Sequence, residues 1–281
     1  MTKVLRTIIM LAPLMALRAG ICAAAPAVDL KTMLASPVDL TIYSPNRKLV
    51  IGHAHFTIKE IGKKVEIIGQ THYEVGESDW ERIVLEYQAG NPLPVVTSYQ
   101  AHFLAADGRP QLSEQVDLKS GEASCRWGGQ FGDASYDDTV EVEPDTYAGA
   151  ASIVPLEYAL KKGESTARFH VFDCTPKPSI FTVDARLENG EARWNYYPGE
   201  LAKMGLTPDL GWLNVLARPF IPNISVWFDP KEGFQYVGAS KDRFYRGRHQ
   251  VLVRNNNPGP QIGSAPQPPA RVAIDPDKSN N

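Results

Sequence analysis

The stretch KLVIGHAHFTIKEIGKKVEIIGQTHYEV, residues 48–75, constrains the fold more than any other part of this chain. In its first arm Val50, Ala54, Phe56 and Ile58 fall on one face, and His53, His55, Thr57 and Lys59 on the other. That alternation marks a half-buried strand. The second arm alternates too, with Val65, Ile67, Thr71, Tyr73 and Val75 on one side. Between them, Gly62-Lys63 suits a two-residue turn with glycine first. The turn sets a register that places Ile58 opposite Ile67, Phe56 opposite Gly69 and Val50 opposite Val75. It also places Lys59 opposite Glu66 and His53 opposite His72. Apolar meets apolar, and a slip of one residue would undo the match.

The polar face of this hairpin gathers His53, His55 and His72. Imidazole is a good zinc or copper ligand. Nothing, however, fixes a third or fourth ligand at a short, specific spacing. A solvated hairpin face accounts for these histidines, and no metal or cofactor is assigned to the chain.

A second hairpin is expected in SIFTVDARLENGEARWNYY, where Asn189-Gly190 is a strong turn signal. Centred there, the turn pairs Leu187 with Ala192, Ala185 with Trp194 and Val183 with Tyr196. ARFHVFDC, NISVWFD, FQYVGAS and HQVLVR add short strands. Turn signals recur at Asp107-Gly108, Ser120-Gly121 and Asp229-Pro230 leading to Gly233. The expected fold is mainly β: a curved antiparallel sheet, a half-barrel or open barrel, with two or three short helices. PLEYALKKG has good helix start and stop chemistry in Pro155, Lys161, Lys162 and Gly163. SDWERIVLEYQAG has helical spacing but is short enough to be a strand. TPDLGWLNVLARPF starts at Thr207-Pro208 and must break before Pro219. It is either a plug at one end of the sheet or a lid, around Trp212 and Leu213, over an apolar cavity.

Residues 1–27 read as a secretory signal peptide: Lys3 and Arg6, an apolar run from Ile8 to Leu17, then small residues. Cleavage after Ala24 or Ala27 places the mature protein in the periplasm. The run is too short to span a bilayer, so no transmembrane segment is expected. Cys22 is lost with the leader, since Ile21 does not fit a lipoprotein signal. That leaves Cys125 and Cys174, an even count that suggests one disulfide. The alternative is a pair of buried thiols. The lack of CxxC spacing argues against a zinc knuckle or a dithiol oxidoreductase. With 43% hydrophobic residues, a formal net charge of -3 and no basic stripe, nothing points to nucleic acid. A single β-rich domain over 38–254 is expected. The Pro-, Asn- and Gly-rich stretch 255–281 reads as a disordered tail.

Catalytic motifs are mostly absent: no GxSxG elbow, HExxH, Walker loop or GxGxxG. The acidic run Asp133, Asp137, Asp138, Glu141, Glu143 and Asp145 lacks EF-hand spacing and reads as a solvated loop. DTYAGAASIVPLEYALKKG and ISVWFDPKEGFQYVGASKDRFYRGRHQVLVR, together with YSPNRKLVIGHAHFTI, resemble an exported bacterial family of unknown function. That family is similar in shape to lipoprotein carriers of the LolA/LolB kind, whose curved sheet wraps helices around an apolar cavity. The resemblance implies a ligand-binding or structural role and no catalytic residue. The expected function is therefore that of a periplasmic binding protein for a lipid, an acyl chain or another apolar molecule. Phe56, Ile58, Ile67, Tyr73, Val183, Trp194, Tyr196, Trp212 and Trp227 are the candidate lining. The alternatives are a periplasmic hydrolase acting on glycans or esters, or a purely structural envelope domain.

Overall fold

The structure, a computed structural model, describes residues 37–188, 192–193, 197, 199–209, 224–245 and 247–255. Its first half is a meander of β1 (Val38–Tyr43), β2 (Val50–Ile61), β3 (Lys64–Tyr73), β4 (Ser78–Glu86), β5 (Val95–Leu104), β6 (Pro110–Asp117), β7 (Glu122–Trp127) and β8 (Ala134–Thr139). The second half opens with β9 (Thr146–Tyr147), the helix α1 (Ile153–Lys161), β10 (Thr166–Cys174) and β11 (Pro178–Leu187). It continues through β12 (Ala192–Arg193), β13 (Glu200–Pro208), β14 (Ile224–Asp229), β15 (Gln235–Asp242) and β16 (His249–Arg254). Two 3-10 turns accompany them, Gly129–Phe131 and Gly149–Ser152, the second leading directly into α1. The expected helix count thus reduces to one α-helix among the described residues.

All strands belong to one curved sheet in the order β8-β7-β6-β5-β4-β3-β2-β1-β16-β15-β14-β13-β11-β10-β9, with β12 added on β13. The pairing is antiparallel except between β9 and β10. The sheet does not close: β8 and β9 are its ends, and among the described residues no ladder joins them. Instead the ends curl toward each other, and a disulfide between Cys125 of β7 and Cys174 of β10 stitches them. Trp127 reinforces the seam by donating its indole N–H to the Pro176 carbonyl at 2.7 Å.

The β2–β3 register is the expected one. Ile58 faces Ile67, Phe56 faces Gly69, Lys59 faces Glu66 and His53 faces His72. The pairing stops at Gly52 and Tyr73, so Val50 and Val75 remain exposed at the rim. The Asn189-Gly190 hairpin is not what pairs β11. Val183, Ala185 and Leu187 face Pro208, Leu206 and Met204 of β13, and β12 pairs with Leu201 and Glu200 at the start of that strand. β13 offers a longer run, with Met204 fully buried, and that burial outweighs a favourable local turn. Likewise SDWERIVLEYQAG is the strand β4. Pairing on both sides and burial of Ile83 and Leu85 override its helical spacing. Thr207 and Pro208 end β13 instead of starting a helix, and residues 210–223 lie outside the described residues.

The concave side of the sheet is filled. Ala151, Val154, Leu156 and Leu160 from the helical segment share one core with Leu40, Ile67, Ile83 and Leu112 from the strands. The 3-10 turn before α1 lies against β3 and β4, and α1 itself against β10 and β15. The entry to this plug is tight. A side chain on Gly149 (φ 51°) would place its Cβ 2.3 Å from Glu81 and 2.8 Å from Tyr99. Only glycine suits both that dihedral and that approach. A second, smaller core of Leu201, Trp227, Val237, Val251 and Val253 lies apart from it, and Tyr43 and Tyr197 pack against it. β1 and β16 pair in the middle of the sheet, and Asn255, first residue of the expected tail, donates its N–H to the Asp39 carbonyl at 2.8 Å.

Candidate functional site

Among the described residues the sequence-derived lining is divided between two cores. Ile58, Ile67, Tyr73 and Val183 are buried in the main core, with half-buried Phe56 packed against them. Trp227 belongs to the second core. Trp194, Tyr196 and Trp212 lie outside the described residues. The physical reason is the plug: α1 and its 3-10 entry occupy the space that a carrier would leave for a ligand.

Tyr73 is not an apolar lining residue. Its hydroxyl lies 3.0 Å from both Asp79 and Gln250, and the guanidinium groups of Arg243 and Arg248 stand 4.6 Å and 4.4 Å from its ring centroid. Arg243, 3% exposed, pairs with Asp79 and, at 2.8 Å, with Glu77. It also reaches the Leu104 carbonyl at 3.2 Å and Gln111 at 3.3 Å. Burial raises the Asp79 carboxyl above the usual carboxylate range, and Arg243 acts against that rise. The cluster ties the β15–β16 turn to β3, β4, β5 and β6. Every member has a partner inside the cluster, which is the pattern of a structural knot.

A second polar cluster sits at the seam. Tyr99 donates to Glu114 at 2.9 Å, and the Cys174 N–H donates to Asp173 at 2.8 Å. Burial pushes both carboxyls up, and for Glu114 the neighbouring Asp173 charge adds to the rise. Glu114 faces Cys125 in the ladder, so the carboxyl pair flanks the disulfide. Glu114 is buried and Asp173 half-buried.

The histidines of the first hairpin are brought together only in part. His53 and His72 face each other, while His55 faces Gln70 and pairs with Asp39 at 2.6 Å. Among the described residues no group of three or more His, Cys, Asp or Glu side chains converges as a metal site.

An accessible concavity does exist, on the rim between α1 and the β10–β11 edge. Its volume is about 480 Å³. Tyr147, Pro155, Tyr158, Ala159 and Phe169 give it an apolar side, and Asp145, Glu164, Arg168, Asp184 and Arg186 a charged one. Arg168 is held by Asp184 at 2.9 Å and Asp209 at 2.6 Å. The Arg186 side chain has no hydrogen bond or ion pair among the described residues and is exposed. A second groove of about 360 Å³, with Lys64, Glu66, Arg82 and Lys119 on its walls, lies by the β2–β3 turn. Sequence reading missed the first groove because its walls come from segments far apart in the chain. The one available signal was the Arg168 and Arg186 alternation on neighbouring strands.

No protein-family profile matches the chain, and no curated protein matches it. Among solved structures it is similar to a β-barrel-like protein of a domain of unknown function, DUF1849, from Brucella abortus. The identity is 8%, the match covers 78% of this chain and 96% of that chain, and the TM-score is 0.41. No site residue is transferred from it.

Proposed function

We propose that this chain is exported to the periplasm and works there as a binding protein for a small amphiphile held in the α1/β10–β11 groove. One observation carries the reading: a groove of about 480 Å³ sets Tyr147, Tyr158 and Phe169 beside the uncommitted cation Arg186. That volume lies within the range of small-molecule sites, which combine apolar walls with few polar groups. The ligand class is an acyl chain or similar apolar body carrying one anionic group. The basic, then apolar, then small-residue leader and the Cys125–Cys174 bond support an oxidising, exported location.

Titration with 11-(dansylamino)undecanoic acid tests the site. Saturable fluorescence enhancement is expected, and Arg186→Glu should weaken it about tenfold or more. A folded protein that gives no saturable signal would overturn the binding reading. It would favour the structural-domain reading, which the filled interior supports. N-terminal sequencing tests the location: the mature chain should begin near Ala25 or Val28, and Met1 retained on cytoplasmic protein would overturn export.

A further inference from the structure

Three histidines in the described residues hold a carboxylate on Nδ1: His55 with Asp39 at 2.6 Å, His170 with Asp145 at 2.6 Å and His249 with Asp242 at 2.8 Å. Only His249 also holds a serine hydroxyl on its other ring nitrogen, with Ser240 Oγ 2.8 Å from Nε2. His102 has a serine, Ser113, on Nδ1 but no acid. We propose that Ser240, His249 and Asp242 form a nucleophile–base–acid triad that hydrolyses small carboxylic esters on the convex face of the sheet.

The strands build this set without a loop. Ser240 and Asp242 alternate on β15, and Asp242 faces His249 across the β15–β16 ladder. Ser240 is diagonal to His249 on the same face, a separation that a histidine spans. The neighbouring inward positions go elsewhere, since Gln250 bonds Tyr73 and Leu252 joins the main core. The three side chains are all half-buried, with His249 34% and Asp242 27% exposed, so solvent and a small substrate reach them.

The atom assignment matches the chemistry. Asp242 accepts the Nδ1 proton of His249, which fixes the tautomer that leaves Nε2 free to accept from Ser240. Ser240 Oγ attacks the ester carbonyl carbon and its proton passes to Nε2, giving a tetrahedral adduct. Collapse breaks the carbon–oxygen bond to the alcohol, which leaves with the proton from His249. Water then attacks the acyl-serine through the same base, releasing the acid and restoring Ser240. The sum is ester plus water to alcohol plus acid, with no further reactant.

β15 is paired on both sides, so the backbone donors around Ser240 are committed to ladders. Ser225 faces Ser240 from β14 and would supply the one hydroxyl for the developing oxyanion. A single hydroxyl is a weaker oxyanion site than paired backbone N–H groups. The expected activity is therefore slow and confined to activated or unhindered short-chain esters.

The experiment uses the full-length oxidised protein with 4-nitrophenyl acetate and a fluorophosphonate probe, with circular dichroism to confirm folding of each variant. Covalent labelling that peptide mass spectrometry places on Ser240 is expected. Ser240→Ala should abolish labelling and cut turnover by about a hundredfold. Asp242→Asn should lower kcat about tenfold or more at unchanged KM, as expected of a residue that orients the base. His55→Ala and His170→Ala are the controls: their turnover should match the parent. Folded parent protein without label on Ser240 overturns the proposal. So does turnover that survives Ser240→Ala or follows His55 or His170, because it would then be simple imidazole catalysis. Binding of the dansyl probe is read in a separate assay, on another part of the molecule.

Discussion

The meander β1–β8 and the half from β9 to β16 are held by different kinds of contact. In the meander each strand bonds to its neighbour in sequence, through turns such as Gly62-Lys63, Asp107-Gly108 and Ser120-Gly121. In the second half β9 runs parallel to β10, β11 pairs with β13 and not with β12, and β16 returns to β1. Besides the β1–β16 ladder and the shared main core, long-range links join the halves around the curl, among them the Cys125–Cys174 bond, the Arg243 knot and the Glu81–Ala150 hydrogen bond that seats the plug. The contrast teaches that strand order in one half follows from the chain, whereas curvature and closure depend on a handful of side chains.

The strongest way to break that contrast is at Arg243. Arg243→Met should cost about 3 to 5 kcal/mol, because Asp79 and Glu77 would stay buried without their cation. The urea midpoint reads it, and a loss below about 1 kcal/mol would show that the knot does not hold the halves together. Next is the seam. Replacing both Cys125 and Cys174 by alanine opens a link across 49 residues and should cost about 4 kcal/mol in the chain-entropy picture. Hydrogen exchange should then rise first in β9, α1 and β10, with β2 to β5 still protected. Equal loss in both halves would mean that the meander has no independence.

A pH experiment isolates the plug. Burial pushes the Glu157 carboxyl up from 4.5 to about 7, with Lys161 drawing it back. The folded state therefore favours its protonated form. That contribution is complete below about pH 4.5 and is lost as pH rises toward 7, a change of about 3 kcal/mol. Glu157→Gln should flatten this part of the stability curve, and an unchanged slope would assign it to other groups. The smallest effect belongs to a local turn. Gly62→Ala at φ 64° should cost about 1 to 2 kcal/mol and leave exchange in β9 to β16 unaltered.

Legibility in the sequence follows the same division. The β2–β3 register could be read to the residue because a two-residue turn and two alternating faces determine it. The β11 partner could not, since the Asn189-Gly190 signal is local and the burial of Met204 is not. Helix α1 was readable from Pro155 and Gly163, yet its place inside the curl was not, because the contacts of Leu156 and Leu160 are with strands distant in sequence. That misplacement turned core residues such as Ile67 into a supposed ligand wall. The triad was within reach of the alternation rule, with Ser240 and Asp242 on one strand and His249 on the next. Missing was the β15–β16 register, which the intervening RFYRGR does not announce.

The pairing of β1 with β16 at the centre of the sheet makes the two strands joint custodians of one position. Deleting either would leave no frayed border. It would split the sheet and bare a long edge on each side, the kind of edge that recruits other chains. The same neighbourhood makes the protein a natural candidate for circular permutation. Asn255 already touches Asp39, so a short linker there, with new ends opened at Gly62-Lys63, would preserve every ladder while reversing which strand is made first.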